Sequence, residues 1–107
     1  MHGLWSMTTA VTALLAACSG YSAPNHDAQA VGVEDNFFTP RQFDVAPGGT
    51  VPWAWRGNNP HNVTFDDGPA SATQTEGQYQ RQFNEPGSYP YHCTIHGLSM
   101  SGSVEVR

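Results

Sequence analysis

The sequence predicts an all-β sandwich of seven to eight strands. Beyond residue 28 there is one Leu, one Ile and one Met, and Val, Phe, Tyr, Trp and Thr supply most of the bulk, which is a composition typical of strands. Short alternating runs recur between turn signals that contain Gly, Pro, Asn or Asp. No segment supplies the crossover helix that a parallel βαβ unit requires. These observations favour an antiparallel sandwich or barrel.

The composition limits both size and function. With 107 residues, the chain has room for one domain. It carries 4 basic residues, all Arg, against 9 acidic ones, for a net charge of -5. Such a chain has no basic footprint, so we do not expect nucleic acid as a partner. Two cysteines are too few for a disulfide-rich scaffold.

The first 17 residues are typical of a signal peptide. The run of about 14 apolar or small residues from Leu4 to Ala17 has no charge. It is shorter than the roughly 20 residues of a membrane-spanning helix and has the length of a signal-peptide core. It ends in Leu15-Ala16-Ala17-Cys18, which resembles the lipobox of bacterial lipoproteins. That resemblance implies cleavage before Cys18 and a lipid on its thiol; ordinary secretion with cleavage after Ala28-Gln29-Ala30 is the alternative.

Residues 18–28 are polar and aperiodic, and we interpret them as a flexible tether. His26 lies in this segment and is expected to be solvated. The folded domain then covers residues 29–107. Because no charged residue precedes Cys18, the whole net charge of -5 belongs to the secreted part.

Seven alternating runs define the predicted strands. They are Val31/Val33, Phe43/Val45, Val51/Trp53/Trp55, Val63/Phe65, Tyr79/Arg81/Phe83, Tyr89/Tyr91/Cys93 and Val104/Val106. Pro52 and Pro90 lie inside two of them, so their positions should face an edge or an irregularity. The aperiodic stretch 70–78 is predicted to be a surface loop.

Four potential metal ligands stand out in the sequence: His61, Cys93, His96 and Met100. Soft sulfur with imidazole selects copper or zinc, and two His with one Cys and a weak axial Met describe a blue-copper electron-transfer site. Cys93 ends a predicted strand, and His96 and Met100 should fall on the loop to the last strand. His61 must then come from a neighbouring strand.

Other uses of these residues fit less well. A structural zinc site prefers four Cys or His ligands in paired motifs, and here a thioether takes one place. A nucleophilic Cys–His pair would also need an oriented base and a substrate pocket. A disulfide between Cys18 and Cys93 is not expected, because Cys18 lies in the targeting segment and Cys93 lies among metal-ligand types.

The domain resembles the cupredoxins, in particular the plastocyanin-, amicyanin- and halocyanin-like blue copper proteins. The matching segments are Phe37-Phe38-Thr39-Pro40, Val45-Ala46-Pro47-Gly48, Val51-x-Trp53, Pro60-His61-Asn62-Val63, Pro86-Gly87-Ser88-Tyr89-x-Tyr91-His92-Cys93-x-x-His96 and Met100-x-Gly102-x-Val104. Two features depart from the family pattern. The three residues between His96 and Met100 lie between the shorter amicyanin and the longer plastocyanin spacing, and Trp55 stands where many members have Asn.

The resemblance implies a Greek-key β-sandwich and one type 1 copper held by His61, Cys93, His96 and Met100. It implies outer-sphere electron transfer by copper cycling between Cu(I) and Cu(II), and therefore a carrier rather than an enzyme. We expect a monomer outside the cytoplasm, periplasmic or at the cell surface, held to the membrane by lipid alone and serving protein electron donors and acceptors. The alternative is a copper-binding module for copper delivery or resistance.

Five neighbours of these four residues carry further expectations. His92 should point away from Cys93 by strand alternation, and Asn62 should brace the ligand loop. Trp53 should be core, whereas Trp55 is either core or a surface aromatic. Leu98 is either a core residue or part of an exposed apolar patch around the edge of His96.

Overall fold

The structure is a computed structural model that describes residues 30–107. It contains eight strands, which are β1 (Val31–Glu34), β2 (Phe37–Thr39), β3 (Gln42–Val45), β4 (Gly49–Trp55), β5 (Thr64–Phe65), β6 (Gln78–Phe83), β7 (Gly87–Cys93) and β8 (Gly97–Val106). The predicted signal peptide, the tether with His26, and the lipid-modified Cys18 lie outside the described residues.

The strands form two four-stranded sheets, in the orders β2-β1-β4-β6 and β3-β8-β7-β5. This confirms the predicted all-β sandwich. Residues 30–107 form no helix, and hence none that could cross a membrane.

Two strand pairs are parallel, β1 with β4 and β3 with β8, and in these the expectation of a purely antiparallel sandwich was wrong. The chain leaves the first sheet after β2, adds β3 to the second sheet, and returns as β4. Two parallel neighbours in one sheet need a crossover connection, which is usually a helix. Here the chain makes the crossover by passing through the second sheet.

The core lies between the sheets and follows the alternation of the sequence. Trp53 is fully buried at its centre, as predicted, with its ring 5.5 Å from that of Tyr91 and 5.6 Å from that of Phe65, both near perpendicular. Phe38 covers the other side of Tyr91 at 4.8 Å. Such edge-to-face contacts add to the free energy of burying apolar area.

Burial also affects the Tyr91 hydroxyl. This hydroxyl and the Trp53 indole nitrogen are buried without a hydrogen-bond partner of good geometry. Burial raises the pKa of Tyr91 to about 12, and the nearby Trp53 N–H opposes this effect only weakly. A neutral phenol is therefore favoured inside the fold.

Short neighbouring strands explain the two strand prolines. The ladder between β1 and β4 begins at Trp53, and the ladder between β5 and β7 runs over Tyr91 and His92. Pro52 and Pro90 each lie one residue outside these ladders, where no amide donor is needed. On their other side, Pro52 and Pro90 lie in regular register with Gln80 and Ser103, so of the two predicted settings the structure supports an edge and not an irregularity.

Strand β2 is absent from the seven predicted runs, although the predicted total of seven to eight strands allows for it. It is three residues long, and only its middle residue, Phe38, is buried; Phe37 is 52% exposed. So short a strand shows no alternation in the sequence.

Most residues of the predicted loop 70–78 are exposed, and isolated bridges from Ala70 and Gln74 attach this segment to the sandwich.

Candidate metal centre

His61 follows β4 and is fixed through its backbone. Its N–H and C=O both pair with Gln74 at 3.0 Å, and Trp55 Nε1 donates a hydrogen bond to its carbonyl at 3.1 Å. Trp55 is buried, so of the two roles left open for it, the core role is the correct one. The His61 side chain is fully buried, a rare position for imidazole unless its nitrogens have partners.

Cys93 is the last residue of β7, where alternation places Tyr91 and Cys93 on the inner face. The thiol is free and fully buried. His92 lies on the other face, as predicted, with its side chain 26% exposed and Nδ1 3.8 Å from a carboxylate oxygen of Asp66. His92 is therefore directed away from Cys93.

A three-residue turn, 94–96, joins β7 to β8. The N–H of His96 donates to the Cys93 carbonyl at 3.2 Å, which closes the turn. Gly97 follows with φ of 65°, a left-handed conformation that glycine adopts without steric cost. Ser99 Oγ donates to the His96 carbonyl at 2.7 Å. The side chain of His96 is thereby held half-buried at the end of the sandwich.

Met100 lies within β8 and is fully buried. The expectation that Met100 sits on a loop before the last strand was therefore wrong. The β-hairpin pairs Cys93 with Gly97 across a register shift at His92 and Cys93. The register shift lets β8 pair with Cys93 directly after the turn, so the strand starts at Gly97, three residues before Met100.

The structure brings three of the four predicted ligands close together. Cys93 Sγ lies 3.9 Å from His61 Nδ1, and the rings of His61 and His96 are 5.3 Å apart between centroids. Met100 belongs to the same buried cluster as Cys93. Within residues 30–107, no group of three or more His, Cys, Asp or Glu side chains is arranged to hold a metal ion.

Asn62, next to His61, braces the turn after Cys93 as the sequence predicted. Its Oδ1 accepts the Thr94 N–H at 3.0 Å, and its Nδ2 donates to Thr94 Oγ1 at 2.8 Å. Nδ2 also donates to Thr73 Oγ1 at 2.9 Å. The segment carrying His61 is thus tied by one buried amide to the segment carrying Cys93 and His96.

Asp35 completes the surroundings of His61. Its Oδ1 lies 3.1 Å from His61 Nε2, on the opposite side of the ring from Cys93. The backbone N–H groups of Asn58 and Asn59 donate to the same carboxylate, and together with His61 they hold the pKa of Asp35 below its usual value. Asp35 is thus an ionised acceptor at the Nε2 end of His61.

Comparison with known proteins identifies the family. Residues 26–107 match the family model described as copper binding proteins, plastocyanin/azurin family. The chain belongs to this family of copper-binding proteins.

Amicyanins are among its similar relatives. The chain is 36% identical over 88 residues to amicyanin of Paracoccus versutus, covering 76% of this chain and 66% of the relative. It is 37% identical over 78 residues to amicyanin-alpha of Methylorubrum extorquens, covering 66% and 64%. The matches thus span just under two thirds of the amicyanins' own length.

Solved structures agree in fold. An oxidised Met-to-Leu variant of amicyanin superposes with a TM-score of 0.69 at 32% identity, covering 76% of this chain and 83% of that one. A fern plastocyanin variant gives a TM-score of 0.65 at 24% identity, covering 73% and 99%. The two-sheet architecture is therefore that of the plastocyanin/azurin family.

The donors present fit a family copper. Metal–sulfur and metal–nitrogen bonds of about 2.3 and 2.1 Å that diverge by about 120° place the two donor atoms about 3.8 Å apart. The distance from Cys93 Sγ to His61 Nδ1 is 3.9 Å. A buried thiol, imidazole and thioether, with a second imidazole at the rim, is the donor chemistry that selects copper.

The sequence analysis did not single out Asp35. Asp35 is 26 positions before His61, and no motif spacing links a hairpin turn to a residue so far along the chain. Of the two roles left open for Leu98, the structure supports the exposed one. Leu98 is 80% exposed, and Ile95 nearby in the turn is 50% exposed. The structure therefore supports the predicted apolar patch beside His96.

Proposed function

We propose that this chain is an electron carrier with one type 1 copper, held by His61, Cys93, His96 and Met100 and cycling between Cu(I) and Cu(II). The observation that carries the proposal is the 3.9 Å approach of the buried Cys93 thiol to His61 Nδ1 inside a cupredoxin sandwich. Solved amicyanin structures of 31–32% identity include both an oxidised form and reduced Cu(I) forms, which supports copper cycling in this chain.

Copper would supply a one-electron couple in which no bond to a substrate is made or broken. The chain's own residues supply rigidity. Cys93 and Met100 come from adjacent strands of one sheet, and Asn62 ties their hairpin to His61. A frame fixed by strands and a buried amide resists change between oxidation states, so little reorganisation accompanies transfer.

Electrons would pass at the His96 edge. His96 is the half-buried member of the set, while His61, Cys93 and Met100 are fully buried. Leu98 and Ile95 give this edge an apolar surface. The acidic chain favours a partner with a basic patch, and salt should weaken that contact.

Addition of Cu(II) to the metal-free protein tests the proposal. We expect an intense visible thiolate-to-copper band with narrow copper hyperfine splitting, and Cys93→Ser should abolish both. Pale or red protein, or copper lost to a mild chelator, would refute the carrier, and ready loss of copper to the chelator would favour the delivery module. A Thr75→Ala variant, in an exposed residue of the neighbouring loop, controls for unspecific effects of substitution.

The axial role of Met100 has its own test. Met100→Leu should keep the colour and raise the reduction potential, because the thioether donor that favours the oxidised ion is removed. Voltammetry of the two blue proteins measures the change. A fall in potential would contradict the assignment of Met100 as a ligand.

We further propose an extracytoplasmic location, with the domain anchored through a lipid on Cys18. The support is the apolar run that ends at this cysteine. Mass spectrometry of the protein expressed with its leader should find a lipidated N-terminal Cys18 in the membrane fraction. Release of Cys18→Ser to the soluble extracytoplasmic fraction supports the anchor, and soluble unmodified wild type contradicts it.

A further inference from the structure

The strongest observation outside the ligand set is the carboxylate behind His61. Asp35 lies in the two-residue turn between β1 and β2, next to Asn36, whose φ is 78°. Its Oδ1 is 3.1 Å from His61 Nε2. His61 is fully buried, and the Asp35 side chain is 32% exposed, so the carboxylate closes the pocket from the solvent side.

The carboxylate is held in place independently of His61. The Asn58 N–H approaches Oδ1 and Oδ2 at 2.9 and 3.0 Å, and the Asn59 N–H donates to Oδ1 at 2.9 Å. Both donors belong to the segment between β4 and His61. The turn carrying Asp35 is thereby locked onto the segment that delivers His61.

The backbone beside Asp35 leaves space for this contact. A Cβ atom on Gly57 would lie 2.6 Å from Asp35 Cγ and 2.8 Å from its backbone nitrogen, too close for any side chain. Gly57 does not have a positive φ, so its backbone conformation does not require glycine. Its missing side chain makes room for the carboxylate.

The hydrogen-bond chemistry then fixes the imidazole. An ionised carboxylate is only an acceptor, so a neutral His61 carries its one ring proton on Nε2. Nδ1 is left with a lone pair that faces Cys93 Sγ at 3.9 Å. Outer partners of this kind hold the ring and its tautomer and increase the basicity of the ligand.

We propose that Asp35 is a positioning residue for His61 which also lowers the reduction potential of the centre. The inference rests on the proposed function in one respect, because the potential is that of bound copper. A fixed negative charge one imidazole away favours the more positive, oxidised ion. Asp35 therefore makes the carrier a better electron donor than the same ligand set without a carboxylate.

The first experiment requires no copper. Long-range ¹H–¹⁵N spectra of the metal-free protein should show His61 as the Nε2–H tautomer, and Asp35→Ala should lose this preference with the rest of the spectrum still folded. A protonated Nδ1 in the wild type would overturn the inference. This outcome does not depend on whether the protein becomes blue.

The second experiment separates charge from geometry. Asp35→Asn keeps an oxygen where Oδ1 accepts its three hydrogen bonds and removes the charge. We expect a blue protein whose Cu(II)/Cu(I) equilibrium shifts about tenfold toward Cu(I), which is a rise of about 59 mV for one electron. Asp35→Ala should raise the potential as well, weaken copper binding 10–100-fold and change the copper hyperfine splitting.

Two further variants sharpen the result. Glu34→Gln removes the adjacent charge, which lies 3.8 Å from Arg56, and should leave the potential near that of the wild type. Gly57→Ala should move the potential in the direction of Asp35→Ala, because it displaces the carboxylate without touching His61. Equal shifts for Asp35→Asn and Glu34→Gln, or none for either, would overturn the inference. A wild type with the Nε2–H tautomer but no blue colour would instead refute the proposed function.

Discussion

The amide of Asn62 offers a quantitative test of how the two ligand segments are held together. Asn62 is 4% exposed and makes four side-chain hydrogen bonds. Two of them reach Thr94, directly after Cys93, and the others reach Thr64 and Thr73. Replacement by alanine removes all four without adding bulk.

The size of the effect follows from the partners. A hydrogen bond contributes about 0.5–1.5 kcal/mol net, so four would total about 4 kcal/mol. Thr94 and Thr73 are exposed, and water can replace the lost partner there. We therefore expect Asn62→Ala to lower the free energy of unfolding by about 2–3 kcal/mol.

A double-mutant cycle isolates the link to the turn. Urea unfolding of metal-free wild type, Asn62→Ala, Thr94→Ala and the double variant gives the coupling energy. Thr94→Ala removes the 2.8 Å bond from Nδ2 but keeps the one from the Thr94 N–H. One side-chain bond should appear as a coupling of about 1 kcal/mol.

The same cycle with Thr75→Ala in place of Thr94→Ala is the matched control, and its coupling should be close to zero. Thr75 is an exposed threonine of the loop that also carries Thr73. Additive effects of Asn62→Ala and Thr94→Ala, within about 0.3 kcal/mol, would refute the idea that this amide joins the segments. In the copper-loaded protein, Asn62→Ala should broaden the hyperfine pattern because the Cys93 turn loses its restraint.

Two predictions concern pH. The pKa of Tyr91, raised to about 12 by burial, makes the folded state lose stability from pH 10 upward, by about 1.4 kcal/mol at pH 11; Tyr91→Phe should abolish this loss in alkaline urea titrations, and an unchanged alkaline profile would contradict it. The pKa of Asp67 is lowered by the Arg81 hydrogen bonds at 2.8 and 3.1 Å, so its contribution is present above the ordinary value and is lost as pH falls below it. Asp67→Asn should cost at most about 1 kcal/mol at pH 7, since the carboxylate is half exposed, and the difference from the wild type should disappear by about pH 2.

Features with a short sequence period could be predicted from the sequence. The alternation of Val51, Trp53 and Trp55 predicted that they share one face of a strand, with the role of Trp55 left open, and the structure buries all three. Cys93 and His92 were assigned to opposite faces by the same rule. Period-2 alternation survives folding because one face of each strand must leave water.

Features that depend on pairing between distant segments could not be predicted from the sequence. The parallel pairing of β1 with β4 depends on how the chain crosses between sheets, and no local pattern records it. Met100 was expected in a loop, but β8 already starts at Gly97. The register shift that allows this early start depends on the pairing with β7, which the local sequence does not reveal. Asp35 reaches His61 only because the β1–β2 turn packs against the segment after β4.

The site therefore combines two kinds of restraint. The β7–β8 ladder fixes Cys93 through its backbone, whereas His61 is held by its backbone pairing with Gln74 and by side-chain contacts from Trp55 and Asp35. Replacing one strand residue leaves a ladder intact, but removing the Asp35 or Trp55 side chain takes away a contact that orients His61. Tuning of the proposed centre by substitution outside the four proposed ligands is therefore expected to act first at His61.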